Sequence, residues 1–146
     1  MWIDLEANLP WLTAEPYLLE RDDLEKTLDG LAGLGFRVVR VRAPERGDLE
    51  EGLLIELSGR LGFSGVGAGS WAAFSDRLWD LLTAPEEPPV AVVIELFDRI
   101  LQQSLHTFVR CIHNLVSMTE GVGLSDEGAD LQVAYFFVGD WGTRPS

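Results

Sequence analysis

Asp76 and Asp80 stand four residues apart in the stretch Ser70-Trp71-Ala72-Ala73-Phe74-Ser75-Asp76-Arg77-Leu78-Trp79-Asp80-Leu81-Leu82. At about 100° per residue, a helix here gathers Trp71, Phe74, Leu78, Leu81 and Leu82 into one wide apolar sector. Asp76, Asp80 and Thr83 then lie on the opposite side, with Ala72 and Ala73 nearby. Like charges at i,i+4 cost a helix a few tenths of a kcal/mol, and Asp80 near the C-terminal end opposes the helix dipole. Helix stability therefore gives no reason for the pair. Two carboxylates can cleave a bond held between them, but that chemistry needs burial that drives their pKa values apart. One exposed helix face supplies none, so the pair reads as a binding surface. Trp79 beside it is a residue type that anchors interfaces, and the small Ala72 and Ala73 leave room for a partner to approach.

Other chemically suggestive residues fall short of a site. Gly67-Ala68-Gly69-Ser70-Trp71-Ala72 fits the permissive G-x-G-x-x-A pattern of dinucleotide-binding turns. That turn must follow a strand, whereas Leu57–Leu61 reads as helix and bulky Trp71 would crowd a phosphate. His106 and His113 share a helix face with cationic Arg110 between them, while Cys111 points away. Zinc needs three or four converging ligands. The sequence contains no P-loop, no G-x-S-x-G elbow and no H-E-x-x-H pair. We expect no enzyme, no cofactor and no metal. Cys111 is the only cysteine, so no internal disulfide forms, and it reads as a buried thiol in a reducing compartment.

The chain of 146 residues has the length of one domain and can bury roughly 68–70% of its unfolded surface. Its apolar fraction of 47% and charged fraction of 24% are those of a globular protein. The longest apolar run, Val90-Ala91-Val92-Val93-Ile94, is far short of the roughly 20 residues that span a bilayer. Asp4, Glu6 and Asn8 stand where a secretory signal needs a basic segment and an apolar core, which gives a cytoplasmic expectation and no membrane partner. A net charge of −13 repels nucleic acid and attracts basic proteins.

The elements that must position the acidic pair follow from periodicity. Residues 1–35 read as an N-terminal extension: an irregular apolar segment over residues 1–19, carrying Pro10 and Pro16, then a helix. Asp22-x-x-Glu25 forms the capping-box pattern of that helix, and Leu24, Leu28 and Leu31 its buried stripe until Gly33 and Gly35. Phe36–Arg42 alternates valine with arginine as a half-exposed strand does, and an edge position suits its arginines. Asp48-x-x-Glu51 opens a second helix with Leu49, Leu53, Leu57 and Leu61 buried. Glycine-rich and proline-rich loops bracket the acidic helix. Continuous apolar strands are expected over Pro89–Phe97 and Leu131–Val138. One helix stripe runs between them through Ile100, Leu101, Leu105, Phe108, Ile112, Leu115 and Val116. Strands separated by helices imply an α/β fold with a small, mainly parallel sheet of about three strands. The main domain then spans residues 36–141, and residues 142–146 form a loose tail.

Phe74-Ser75-Asp76-Arg77-Leu78-Trp79-Asp80-Leu81-Leu82 resembles the D-A-L-W-D-x-L helix of the barstar-like ribonuclease inhibitors, and the element order over roughly residues 36–140 agrees. The resemblance implies a barstar-like fold and an immunity role. An acidic helix and the loop before it would plug the basic active site of a secreted ribonuclease or nuclease toxin. Asp76 and Asp80 would stand in for substrate phosphates, held by charge-assisted hydrogen bonds. Trp79, Ala73 and Trp71 would add contact surface, and Glu120 near the end of the long helix is a further acidic candidate. Where many family members have aromatic-Gly-x-Asn before this helix, the chain has Gly67-Ala68-Gly69-Ser70-Trp71, which leaves the identity of the nuclease open. The competing expectation is a barstar-like module that binds another basic protein without inhibiting a nuclease.

Overall fold

Apolar runs between turn signals become the inner strands of a parallel sheet. The computed structural model describes residues 3–63, 69–82, 88–123 and 132–142, apart from the side chains at 79, 81, 82 and 119–123. The elements follow the order α1 (Leu5–Asn8), β1 (Tyr17–Glu20), α2 (Leu24–Gly33), β2 (Arg37–Arg42), α3 (Leu49–Arg60), α4 (Trp71–Leu82), β3 (Val90–Glu95), α5 (Asp98–Gln103), α6 (Leu105–Gly123) and β4 (Val133–Gly139). The sheet order is β1-β4-β3-β2, and each neighbouring pair is parallel. The central strands β3 and β4 are the two continuous apolar runs. A strand covered on both faces has no polar side with which to alternate.

Alternate residues of these strands enter two separate cores. Val90, Val92 and Ile94 of β3, with Val133, Tyr135 and Phe137 of β4, pack under α3, α4, α5 and α6. Ala91 and Val93, with Ala134, Phe136 and Val138, pack against Leu5 and Leu9 from the N-terminal segment and Leu24 and Leu31 of α2. The sheet is thus covered by helices on both faces. β2 lies at one edge, where Arg37, Arg40 and Arg42 are exposed. Arg40 forms a bidentate pair with Glu95 of β3, at 2.9 and 3.0 Å, and this hydrogen-bonded carboxylate raises the guanidinium's pKa.

The sheet has four strands rather than about three, because Tyr17–Glu20 pairs with Phe136–Gly139. The segment expected to be irregular therefore supplies the second edge strand. Tyr17-Leu18-Leu19-Glu20 does not alternate apolar with polar residues and so gives no period-2 signal, and pairing with β4 is what makes it a strand. Tertiary contacts fasten the residues before it. Trp11 Nε1 donates to the Thr27 hydroxyl at 2.8 Å, and that hydroxyl, fully buried, donates to the Asp23 carbonyl at 2.8 Å. Burial, with Glu15 and Glu6 nearby, pushes the Tyr17 phenol well above its ordinary value.

Local caps explain where the helices begin. Asp48 accepts from the Glu51 N–H at 3.0 Å, as its spacing predicts, and Leu49, Leu53, Leu57 and Leu61 are all buried. The Asp22–Glu25 capping box is not formed. A 3-10 turn, Arg21–Asp23, runs straight into α2, and Asp23 occupies the cap position with helical dihedrals while pairing with Lys26 at 3.3 Å. The single stripe expected from Ile100 to Val116 is two helices. Ser104 is extended (φ −159°, ψ 110°), and its hydroxyl accepts from the Thr107 N–H at 3.2 Å. That cap resets the helical phase: Leu105 is 64% exposed, whereas Cys111 and Leu115 are fully buried.

Trp141 anchors the end of β4 by donating from Nε1 to the carbonyls of Leu19 and Phe137. The tail beyond Gly142 and the run Leu131–Gln132 at the predicted start of β4 lie partly outside the described residues, and β4 itself begins at Val133. Among the described residues no helix is long and apolar enough to cross a membrane.

Candidate functional site

The acidic helix is held by the residues behind it. On α4, Phe74 and Leu78 are buried in the core. Phe74 meets Phe63 with ring centroids 5.6 Å apart and Trp71 edge-on at 6.3 Å. This anchoring leaves Asp76, Asp80 and Ala72 exposed and Ala73 half-buried. Phe74 and Leu78 inside and Asp76 and Asp80 outside match the predicted amphipathic division, whereas Trp71 and Ala73 are both half-buried. Arg77 reaches back along the helix to donate to the Ala73 carbonyl at 3.2 Å. Neither Arg77 nor Asp80 is without a partner. The two aspartates come from one turn of one helix and are open to water.

Trp71 is drawn toward the protein rather than displayed. Its indole Nε1 donates to Glu50 Oε1, and the same oxygen accepts from Arg110 Nη2 at 2.9 Å. Glu50 thereby ties the start of α4 to α3 and α6. A Glu50→Gln substitution weakens both contacts, and we expect a loss of about 1–2 kcal/mol in urea unfolding. The discount relative to a buried charged hydrogen bond reflects an Arg110 side chain that is half in solvent.

The structure adds acidic residues that sequence reasoning had used only as helix starters. Asp48 and Glu51 are exposed at the N-terminus of α3, and Glu51 lies against Gly69, where an added Cβ would come within 2.6 Å of its Cγ. The signal was the acidic run Asp48-Leu49-Glu50-Glu51 itself. Its proximity to α4 is a tertiary fact. The side chains of Trp79 and Glu120, together with residues 64–68 of the glycine-rich loop and Thr83, lie outside the described residues.

The Gly67–Ala72 pattern follows helix α3 and not a strand, so it lacks the frame of a dinucleotide turn. His106 and His113 are both exposed, and no group of three metal-binding side chains occurs among the described residues. Ser117 Oγ lies 3.5 Å from His113 Nδ1, at the long limit of a hydrogen bond. A groove of about 370 Å³ beside it is lined by Pro16, Val109, Ile112 and Val116 and brings no carboxylate to that pair.

Cys111 is fully buried, and burial, reinforced by the Glu50 charge, pushes its thiol up to about 12. The thiolate is the reactive form, so a disulfide reagent such as DTNB should leave the folded protein unmodified at mildly alkaline pH and react after denaturation. The unfolded chain ionises this thiol above its ordinary value near 9 while the folded chain does not until about 12. Stability therefore falls as pH rises through that window, and the raised Tyr17 phenol acts in the same direction at higher pH.

No family model matches the chain, and no curated protein or solved structure matches it either.

Proposed function

We propose that this chain is an intracellular inhibitor, an immunity protein that occludes the basic active site of a cognate ribonuclease or nuclease toxin with helix α4. The observation that carries this reading is the exposure of Asp76 and Asp80 on one face of a helix whose opposite face, Phe74 and Leu78, is locked in the core. A rigid acidic ridge is what a cleft built for phosphates accepts, because its arginines and lysines find carboxylates in place of phosphate oxygens. Glu51 extends the negative surface at the start of the helix, and the net charge of −13 steers a basic partner toward the molecule. The barstar-like resemblance of Phe74–Leu82 supports the same reading, as does the element order from β2 to β4.

The experiment is co-expression with the product of the adjacent reading frame, followed by purification of the complex and a ribonuclease assay. The role predicts a stable complex without nuclease activity, and an association rate that falls as salt rises. A complex that retains full nuclease activity would reject inhibition. One observation favours a second reading, a barstar-like module with a different basic partner. Trp71, the aromatic nearest the start of α4, is committed to Glu50, so the surface before the helix differs from one that offers a free aromatic.

A further inference from the structure

A second feature lies at the carboxyl ends of the strands. β1 leads into α2 beneath one face of the sheet, whereas β2 and β3 lead into α3 and α5 over the other. Open parallel sheets hold small ligands in the crevice where successive connections part. A cavity of about 170 Å³ occupies that place here, lined by residues at or just beyond the carboxyl ends of all four strands. It is smaller than the 300–1,000 Å³ typical of drug-sized ligands.

Its charged lining is balanced. Arg21, just after β1, and Arg42, at the end of β2, both face the cavity, and among the described residues neither guanidinium forms an ion pair. In a chain with 11 basic and 24 acidic side chains, two uncommitted arginines in one crevice are unexpected. Glu95 is already held by Arg40. Asp98 and Asp140 supply the opposing charge.

Asp98 is set in place by the backbone. Its Oδ2 accepts from the Asp140 N–H at 3.2 Å. Its carboxyl group lies so close over Gly139 that a Cβ there would sit 2.9 Å from Cγ and 3.0 Å from Oδ1. Only glycine permits this approach. Leu96, which also lines the cavity, has φ of 59°, a left-handed conformation that a leucine adopts at a cost. Strain of this kind is concentrated at ligand sites, where the surrounding structure enforces it.

We propose that this cavity binds a free α-amino acid, its carboxylate paired with Arg21 and Arg42 and its ammonium group with Asp98. A bare anion would meet Asp98 and Asp140, and a bare cation would meet the two arginines. A small zwitterion satisfies both sets. The site is independent of the acidic helix, and its test does not involve a nuclease.

The test is titration of the ¹⁵N-labelled full chain with each of the twenty L-amino acids at millimolar concentration, with inorganic phosphate in parallel. Saturable shifts at the amides of Leu96, Gly139 and Asp140 with at least one amino acid are the expected result. Amidating that ligand's carboxylate, or removing its amino group, should each weaken binding by about tenfold or more. Arg42→Gln, at an exposed edge position that leaves folding intact, should do the same, as should Asp98→Asn. Absence of saturable shifts for all twenty would overturn the proposal. Saturation by phosphate alone, or an Arg42→Gln protein with unchanged affinity, would overturn it equally.

Discussion

If α4 plugs a ribonuclease as proposed, replacing Asp80 by Ala should lower affinity for that nuclease by about 2–5 kcal/mol, roughly 30-fold to several-thousand-fold. The loss comes from the nuclease side as much as from this chain. Once the complex excludes water, an arginine or lysine that had faced the carboxylate is left buried without a counter-charge, and that penalty exceeds the net worth of the pair. Dissociation should accelerate while association changes little, which stopped-flow mixing and competition kinetics separate. Asp76→Ala acts in the same direction. Because the two carboxylates are one turn apart and engage one cleft, their effects should depart from additivity. Full inhibition by the Asp76→Ala, Asp80→Ala double variant would rule out the phosphate-mimic role.

Phe74→Ala should destabilise the fold by about 3–5 kcal/mol, the cost of emptying a fully buried phenylalanine site. Phe74 is 0% exposed and packs against both Phe63 and Trp71. Its loss removes the anchor that keeps α4 oriented. The aspartate variants provide the contrast. Removing one of two like charges at i,i+4 should change stability by only a few tenths of a kcal/mol. Urea denaturation should therefore show a large drop in midpoint for Phe74→Ala and almost none for Asp76→Ala or Asp80→Ala. A similar midpoint for Phe74→Ala and the unmodified chain would mean that α4 is not held by its apolar face.

These two results separate a residue that builds the helix from residues that the helix displays, and the same division governs what was legible in the sequence. Phe74 and Leu78 could be assigned to the core, and Asp76 and Asp80 to solvent, because helical spacing alone sorts side chains by face. Asp48 could be recognised as a cap because its partner, the Glu51 N–H, is three residues away. Ser104 carries the same local signal, yet the apolar residues on either side continue as one stripe, which masks the break. By spacing Trp71 belongs to the apolar sector, and by residue type it is also a candidate contact residue. Its hydrogen bond to Glu50, 21 residues earlier, gives the structural use of its polar end.

The sequence by itself determined the α/β class, the parallel central strands, the edge position of β2 and the exposure of the acidic pair. All of these depend on periodicity and on contacts within a few residues. Only the tertiary structure decided that Tyr17–Glu20 is a strand, since its backbone partners, Phe136–Gly139, lie more than a hundred residues away. It also decided that Glu51 stands beside the acidic helix, and that Arg21, Arg42 and Asp98 meet at one crevice. Such contacts are made between separate elements once the apolar faces are buried, and no local pattern encodes them.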